Sequence, residues 1–411
     1  MKFEVPLTPF LLDKLLIWAN SKYDYVAYFT DNAISYPHSG FINQLFAGNQ
    51  KIKLNEKEFG QVEVVGILSY DYKNQLEKLQ SCNKEIIKHP DELFFLPDVK
   101  ILISDKSLII VHPQANIYFD EIIKTSVSSY SHKIGDIRAL TSKEEYLKNV
   151  KKIQEHIIEG DVYEMNYCIA FHSEIDEIDP IVLFDQLMKA SPMPFSVYFK
   201  AKEQILICAS PERFLKKENS TIIAQPIKGT IKRGSTTKED EVYKTILHNS
   251  EKERSENLMI VDLMRNDLSK ISITGSVKVE ELFGIYSFMH VHQMISTVSS
   301  TLAGNYTFEQ IIQSTFPMGS MTGAPKIKCM ELIDRYENFK RGWFSGTVGY
   351  IDSKGDFDFN VIIRSLFLDM KSKKLLLAVG SAITYDADPE QEYDECLLKA
   401  KSIFQILKKG K

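Results

Sequence analysis

The chain has 411 residues, of which 44% are hydrophobic and 26% are charged, and its formal net charge at pH 7 is −5. This composition predicts a folded protein with a sizeable core and excludes an intrinsically disordered chain. Positive and negative charges are mixed along the chain, which excludes a surface for nucleic acid, and no apolar run has the length of a membrane-spanning helix.

The five cysteines are Cys82, Cys168, Cys208, Cys329 and Cys396. Their odd number and the lack of a CxxC pair indicate reduced, mostly buried thiols rather than a disulfide framework or a zinc site. The first residues lack the apolar core of a signal peptide. We therefore expect a cytoplasmic protein.

The first third of the chain carries modest signals. Thr8 and Pro9 predict the cap and the first position of a short helix. Apolar runs predict strands at Tyr25–Thr30 and Val62–Tyr70, and a strand or a hairpin at Ile101–Val111.

A polar stretch at Ser126–Asp136 is the best candidate for a domain boundary. We therefore expect an N-terminal region of residues 1–135 that folds together with a region of residues 136–411. Within the first region, the mixed residues 36–60 predict loops and short helices.

The patterns become sharper from Ser142 onwards. Ser142 and Glu145 predict a capping box at the start of a helix that ends at Gly160. In the strand predicted at Val162–Phe171, alternation places Glu164 opposite the large apolar side chains. Alternation alone favours a solvent-facing carboxylate and a site residue about equally.

Two charged residues follow in unusual places. Glu212 comes directly after the apolar run Ile205–Ala209, at the mouth of a predicted buried strand. Lys228 lies between Pro226 and Gly229, which predicts a lysine held in a short, constrained turn. Taken singly, the two residues are explained as well by an ordinary ion pair.

The next helix carries a third charged residue. Ser250 and Glu253 predict its cap, and Glu256 shares a face with Ile260 and Leu263 by their spacing. A carboxylate on an apolar face is costly unless it is paired or bound to a metal. The simpler alternative is a solvated position.

The Gly-rich segment Phe316–Glu337 feeds a helix and includes Lys326. It predicts either an ordinary capped helix or an anion site at the helix start. Strands are predicted at Phe344–Ile351 and Phe357–Leu368, and the second carries Arg364. This arginine needs a partner, either a substrate carboxylate or a buried structural ion pair.

The last helix is predicted to start at Asp388-Pro389 and to run to about Leu407. Glu392 and Glu395 are neighbours on its surface, where like charges repel unless a cation lies between them. Magnesium would suit these ligands, and interaction with the helix dipole is the alternative.

Three motifs in one order connect these residues to a known family: SPERF at Ser210–Phe214, PIKGT at Pro226–Thr230 and ENLMIVDLMRND at Glu256–Asp267. They resemble the chorismate-utilising enzymes, which include the first components of anthranilate synthase and aminodeoxychorismate synthase, isochorismate synthase and salicylate synthase. The resemblance runs from about Lys143 to the C-terminus. It implies an α+β chorismate-binding enzyme fold, in which two large, mostly antiparallel sheets pack as a sandwich with helices outside.

The resemblance also implies roles for individual residues. Glu212 matches the general acid that helps the C4 hydroxyl of chorismate to leave. Glu256 and Glu395, with Glu392 beside them, match the ligands of Mg²⁺. The matching substrate-binding positions are Thr322, Gly323, Lys326, Tyr350, Arg364, Gly380, Ser381 and Ala382.

Two positions bear on the reaction within the family. Lys228 lies in PIKGT, the form found in aminodeoxychorismate synthases, whereas anthranilate synthases usually have PIAGT. In the former, the lysine attacks C2 as the C4 hydroxyl leaves, and ammonia then displaces the lysine. Because the attacking amine must be neutral, we expect burial or a nearby cation to depress its pKa. Glu164 stands where isochorismate and salicylate synthases have a lysine that activates water, and where other members usually have glutamine.

Further positions depart from the family pattern. Gln293 stands where a histidine is common, with His292 beside it, and the run Gly380–Ala382 reads Gly-Ser-Ala where the family usually has Gly-Gly-Gly or Gly-Ala-Gly. We expect Glu164, His292 and Gln293 to lie behind the residues that contact the substrate and to hold those residues in place.

The resemblance thus implies a transferase that makes 4-amino-4-deoxychorismate for p-aminobenzoate and folate. Its substrate is chorismate, and no glutaminase motif is visible. We therefore expect ammonia to come from a glutamine amidotransferase subunit or from solution. The alternatives are anthranilate synthase component I, isochorismate synthase and a non-catalytic chorismate-binding subunit.

Overall fold

The computed structural model describes residues 2–7, 9–56, 59, 61–127 and 133–408. Within these ranges, no helix combines the length and the apolar character needed to cross a membrane. The helices are α1 Pro9–Lys22, α2 Lys73–Leu76, α3 Ala115–Lys124, α4 Lys143–Ile158, α5 Pro180–Ala190, α6 Thr237–Asn249, α7 Glu251–Ser269, α8 Phe308–Thr315, α9 Lys326–Tyr336 and α10 Pro389–Lys408.

The strands of the N-terminal region are β1 Lys2–Pro6, β2 Tyr25–Thr30, β3 Gln44–Gly48, β4 Gln50–Ile52, β5 Val64–Leu68, β6 Glu92–Leu96, β7 Val99–Ile103, β8 Ser107–Val111 and β9 Lys133–Ile134. The remaining strands are β10 Arg138–Ala139, β11 Glu164–Glu177, β12 Phe195–Ala201, β13 Gln204–Ser210, β14 Arg213–Glu218, β15 Thr221–Gln225, β16 Ile227–Lys232, β17 Lys278–Ser287, β18 Val291–Thr301, β19 Gly323–Ala324, β20 Thr347–Ile351, β21 Phe357–Asn360, β22 Ser365–Asp369 and β23 Lys374–Ile383.

These strands form two large antiparallel sheets. The first follows the order β1-β8-β7-β3-β2-β12-β13-β22-β23-β11-β10, and the second follows β16-β18-β15-β14-β21-β20-β5-β6-β4. β9 and β19 join the first sheet through β11, and β17 joins the second through β18. The α+β architecture predicted from the family resemblance is confirmed.

Aromatic side chains fill the space between the two sheets. The ring of Tyr350 on β20 lies 5.1 Å from that of Phe29 on β2, and Tyr25 on β2 stacks on Phe95 of β6 at 5.6 Å. Each pair joins one sheet to the other, so the sheets pack face to face around a shared core. On the outside, α10 packs against β23 and α4.

Strands of the N-terminal region belong to both sheets. β2 pairs with β12 in the first sheet, and β5 pairs with β20 in the second. The chain on either side of residue 135 therefore contributes hydrogen bonds to the same two sheets.

Several local predictions differ from the structure. The strand predicted at Phe357–Leu368 is wrong as a single strand, because the chain leaves β21 after Asn360 and re-enters the first sheet as β22. Residues 36–60 include β3 and β4, which their mixed polarity did not indicate. Ile101–Val111 forms a hairpin of β7 and β8. The predicted cap Thr8 and part of the predicted boundary, residues 128–132, lie outside the described residues.

Candidate active site

A cavity of about 920 Å³, counting its open mouth, lies where β11, β16 and β23 meet α7 and α10. It therefore opens between strands of both sheets. The predicted site residues that line it are Glu212, Lys228, Glu256, Gln293, Arg364, Gly380, Ala382, Glu392 and Glu395. Residues far apart in the sequence thus meet in one place.

Glu212 lies between the end of β13 and the start of β14, and its residue surface is only 4% exposed. The apolar run before it forms β13 as predicted, and the turn at Pro211 directs the carboxyl into the cavity. Burial raises the pKa of Glu212 to about 7, and nearby Ser320 and Lys228 offset part of this rise. The Ser320 hydroxyl lacks a well-aligned hydrogen bond within the described residues. A carboxyl with this pKa can donate a proton near neutral pH.

Lys228 lies on β16, not in the turn that its neighbours predicted. The pairing of β16 with β18 shifts register between Ile227 and Thr230, which marks a bulge, and Gly229 has a φ of +92° there. The bulge directs the Lys228 side chain into the cavity, where its Nζ donates a hydrogen bond of 2.5 Å to Glu164 Oε1.

Glu164 is fully buried at the start of β11, so the solvent-facing alternative for this residue is wrong. It stands directly behind Lys228 and forms an ion pair with it. Gly323 lies on β19, which pairs with this strand. A β-carbon at Gly323 would lie 2.1 Å from the Glu164 carbonyl oxygen, so the backbone approaches closely there.

The predicted depression of the pKa of Lys228 is wrong for this arrangement. Burial does act to lower the pKa, but the carboxylates of Glu164 and Glu256 outweigh burial and raise it above its ordinary value. The charges around Lys228 therefore favour its ammonium form.

Arg364 is the last residue of the segment between β21 and β22, with a φ of +52°. Its guanidinium lines the cavity, and its Nη1 lies 3.6 Å from the sulfur of Met193. Among the described residues, no carboxylate lies within 4.0 Å of it. Burial lowers its pKa to about 10, with Glu212 opposing the change. This placement fits a site for an external anion better than a structural ion pair.

Acidic side chains line the opposite wall of the cavity. Glu256 on α7 is 9% exposed, and burial raises its pKa to about 8 despite the charge of Lys228. Burial and the charge of Glu395 raise the pKa of Glu392. Glu395 reaches the cavity mouth with 45% of its side chain exposed, and Lys399 lowers its pKa. The prediction that Glu256 faces the interior is confirmed.

This wall offers oxygen ligands of the kind that magnesium prefers. The Oε1 atom of Glu256 is buried and has no hydrogen-bond partner in the described ranges. Its nearest cation is Lys252, whose Nζ lies 3.9 Å away and 3.3 Å from Glu392. These carboxylate oxygens therefore suit a hard divalent cation, although the three glutamates do not surround a single position.

Another group of potential metal ligands lies close together elsewhere in the described residues. In the described part of the chain, potential ligand atoms of three residues lie within 4.8 Å of one another at His156, Glu159 and Asp161. Both ring nitrogens of His156 already have partners, Asp161 and Tyr336. This surface group lies outside the cavity.

Other predicted residues do not line the cavity. The Lys326 ammonium contacts Asp267 at 2.5 Å, and the Thr322 hydroxyl donates to the carbonyl of Met318. The Ser381 hydroxyl bonds the Tyr146 hydroxyl at 2.7 Å, and Tyr350 packs between the sheets. These side chains lie outside the lining of the cavity, and their contact with substrate stays a prediction.

Adjacent residues on β18 point in opposite directions, as alternation requires. Gln293 lines the cavity, and its Oε1 has no hydrogen-bond partner within the described chain. His292 faces away and bonds Asp240 and Ser287.

Six further polar residues line the cavity although their sequence patterns did not assign them to the site: Asn166, Thr230, Lys252, Glu253, Ser320 and Lys399. Two of them had a readable signal. Lys252 precedes Glu256 by four residues and Lys399 follows Glu395 by four, and this spacing places each lysine beside a proposed ligand.

Comparison with known proteins places these features in a family. A family of chorismate binding enzymes matches residues 16–405, so the match begins well before the motifs near Lys143. Aminodeoxychorismate synthase component 1 of Escherichia coli is 32% identical over 357 residues, covering 84% of this chain and 77% of the relative. Anthranilate synthase component 1 of Saccharolobus solfataricus is 33% identical over 351 residues, covering 83% and 79%.

Some relatives are much longer. A probable aminodeoxychorismate synthase, chloroplastic, from Oryza sativa is 40% identical over 269 residues, which cover 65% of this chain and 30% of the relative. The chain thus spans less than half the length of the plant relatives it matches.

The fold has solved counterparts. Anthranilate synthase component I from Streptococcus pneumoniae superposes with a TM-score of 0.76 at 22% identity, covering 98% of this chain and 91% of that one. The match over residues 16–405, the relatives and the shared fold agree, and the chain belongs to the chorismate-binding enzyme family.

Proposed function

We propose that this chain converts chorismate and ammonia to 4-amino-4-deoxychorismate, as component I of an aminodeoxychorismate synthase. The observation that carries the proposal is the position of Lys228, whose amine lines the same cavity as Glu212 and Arg364. Lysine at this place distinguishes aminodeoxychorismate synthases in the family pattern. Relatives with that name cover most of the chain.

Binding of chorismate follows from the charges of the cavity. Chorismate is a dianion, and Arg364 supplies a buried guanidinium whose donors suit one carboxylate. Among the described residues, the guanidinium would not have to break a salt bridge first. The Gly380 and Ala382 backbone forms the adjacent wall.

The acidic wall would bind the other end of the substrate only with a cation. Glu256, Glu392 and Glu395 would hold Mg²⁺, which would neutralise this wall and polarise the second carboxylate. Without a cation, the carboxylates would repel the dianion.

Glu212 and Lys228 carry the proposed chemistry. Glu212, with its raised pKa, donates a proton to the C4 hydroxyl, which leaves as water. The Lys228 amine attacks C2 in the same step, and ammonia at C4 later displaces it. The buried position of both groups keeps competing water away from the reacting carbons.

The test is a product assay with the purified chain, chorismate, Mg²⁺ and ammonium, followed by chromatography and mass measurement. We expect 4-amino-4-deoxychorismate from the wild type. Lys228→Ala should lose this product or divert amination to anthranilate, because no lysine then attacks C2. Lys216→Ala on β14, outside the cavity, is the matched control. An unchanged product from Lys228→Ala would contradict the covalent role.

Anthranilate synthase component I is the second candidate, because a relative with that name has nearly the same identity as the aminodeoxychorismate synthases. Overall similarity therefore does not separate them, and the assay does. Isochorismate as product would contradict our interpretation of Glu164. Binding of chorismate without turnover, even with an amidotransferase added, would favour a non-catalytic subunit.

The proposal includes a glutamine amidotransferase subunit as the source of ammonia, in keeping with the name component 1 carried by several relatives. The free cysteines suit a reducing compartment, and we propose the cytoplasm.

A further inference from the structure

The Lys228–Glu164 pair has unusually few partners for two buried charges. The Nζ–Oε1 distance is 2.5 Å, and the exposed fractions of the two side chains are 8% and 1%. The other oxygen of Glu164, Oε2, is buried and has no hydrogen-bond partner in the part of the chain that the structure describes. Among the described residues, Glu164 is therefore the one ion-pair partner of Lys228 within 4.0 Å.

Two other buried ion pairs show what a structural pair looks like here. Arg341 donates to both oxygens of Glu337 at 2.9 and 2.6 Å, and further donors reach backbone carbonyls. Arg213 grips both oxygens of Asp358 at 2.8 and 2.9 Å. Arginine keeps its proton in proteins, whereas lysine can release one. The Lys228–Glu164 pair is the one of these three that can transfer a proton.

The surroundings limit where that proton can go. The charged and titratable groups that influence Lys228 or Glu164 from the neighbouring elements are Glu212, Glu253, Glu256, Glu395, Lys399 and Cys329. Of the acceptors, only Glu164 lies within 4.0 Å of Lys228 Nζ among the described residues. A proton that leaves Nζ therefore has Glu164 as its nearest acceptor.

We propose that Glu164 takes the proton from Lys228 before the amine attacks and returns it when the amine leaves. This inference rests on the proposed function. Transfer turns a buried ion pair into two neutral partners, and so leaves neither group as a buried charge without its partner. Glu164 acts through Lys228 and need not touch the substrate.

The protons balance over one turnover. The proton moves from Nζ to Oε1 and leaves a neutral amine and a carboxylic acid. Nζ then bonds to C2 while the C4–O bond breaks, and water leaves with the proton from Glu212. Ammonia bonds to C4, the C2–Nζ bond breaks, and the released amine regains its proton from Glu164. The new ammonium at C4 returns a proton to Glu212.

Proton transfer within the Lys228–Glu164 pair predicts a specific dependence of kcat on pH. The neutral pair has the same number of protons as the ion pair, so its fraction does not depend on pH. In Glu164→Gln the amine must instead lose its proton to solvent, and the reactive fraction rises with pH. The ratio of the variant kcat to the wild-type kcat cancels the titration of Glu212, which both proteins share.

The experiment measures kcat for wild type, Glu164→Gln and Glu164→Asp between pH 6 and 9. We expect the ratio for Glu164→Gln to rise with pH, by up to about tenfold per unit. The ratio for Glu164→Asp should stay flat, because aspartate still accepts a proton. A flat ratio for Glu164→Gln would overturn the inference, since a purely structural role lowers kcat equally at every pH. Thermal unfolding of each variant checks that it folds.

A second readout does not depend on turnover. Reductive methylation with formaldehyde and cyanoborohydride, followed by peptide mass measurement, reports the neutral fraction of Lys228 without chorismate. Methylation at pH 7 should be faster in Glu164→Gln than in wild type, because the stabilising carboxylate is gone. Equal rates would overturn the inference. If the wild type makes no 4-amino-4-deoxychorismate, the proposed function fails, while methylation still reports the pair.

Discussion

Glu212 shows how burial prepares one residue for acid chemistry. Its motif lies after a strand that the apolar pattern predicted, and the position of the carboxyl followed from that strand. The pattern did not indicate how far the surrounding chain would bury it. Removal from water raises its pKa to about 7, which places its titration within the neutral range.

This pKa predicts the pH dependence of turnover. The acid is present below about pH 7 and is lost as the pH rises through that value, so wild-type kcat should fall above it. Glu212→Gln should reduce kcat by 100-fold or more, on the order expected for a general acid. Glu218→Gln, an exposed glutamate on β14, is the control. A kcat for Glu212→Gln near that of wild type would contradict the role.

Arg364 and Lys326 show that a motif does not decide whether a basic side chain reaches the cavity. Both were predicted to meet the substrate, yet one lines the cavity and the other contacts Asp267. Each is a basic residue beside a turn or strand. Only the fold decides whether such a side chain has an acidic neighbour already.

At the scale of elements, the bulge in β16 is the feature that positions Lys228. Gly229 has a positive φ, and a β-carbon there would lie 3.0 Å from Glu253 Oε2 and 3.3 Å from a methyl group of Leu247. Glycine is therefore favoured both by its backbone conformation and by its neighbours.

Replacement of this glycine should separate positioning from stability. Gly229→Ala and Gly275→Ala both place a side chain at positive φ, at a cost of about 1–2 kcal/mol each in the free energy of unfolding. Gly275 has no atom near its added β-carbon, so its variant should keep kcat. Gly229→Ala should lose kcat as well, because the bulge must shift. Urea unfolding and kinetics check both, and equal kcat values for the two variants would contradict the argument.

The helices α7 and α10 were predicted well because their patterns are local. Ser250 caps α7 through the backbone N–H of Glu253, and α10 begins at Pro389 as expected. The interior position of Glu256 also followed from spacing alone. The contact between Lys252 of α7 and Glu392 of α10 did not, since no local pattern encodes it.

At the scale of the whole molecule, both sheets need strands from both sides of residue 135. β12 has β2 and β13 as neighbours, and β20 has β5 and β21. Loss of the N-terminal strands would expose an edge on each sheet and remove the aromatic partners between them. We therefore propose that residues 1–135 fold together with residues 136–411.

Truncation tests this proposal. A chain of residues 136–411 should fail to fold, which circular dichroism and size-exclusion chromatography would reveal as loss of cooperative unfolding and as aggregation. Deletion of residues 1–7 is the control, because β1 is an edge strand whose loss leaves only β8 unpaired on one side. Cooperative unfolding of the longer truncation would contradict the proposal.

The sequence by itself determined the family and the main helices of the second half, and it predicted a place in the site for Glu212, Lys228, Glu256 and Arg364. Motifs and helical spacing act over short distances, so they can be read from the chain alone. Only the tertiary structure decided which charges meet. The pairing of Lys228 with Glu164 and that of Lys252 with Glu392 join residues distant in sequence. That no carboxylate of the described residues lies within 4.0 Å of the Arg364 guanidinium also depends on the fold. The balance between burial and neighbouring charge sets their behaviour, and that balance exists only after the two sheets have packed.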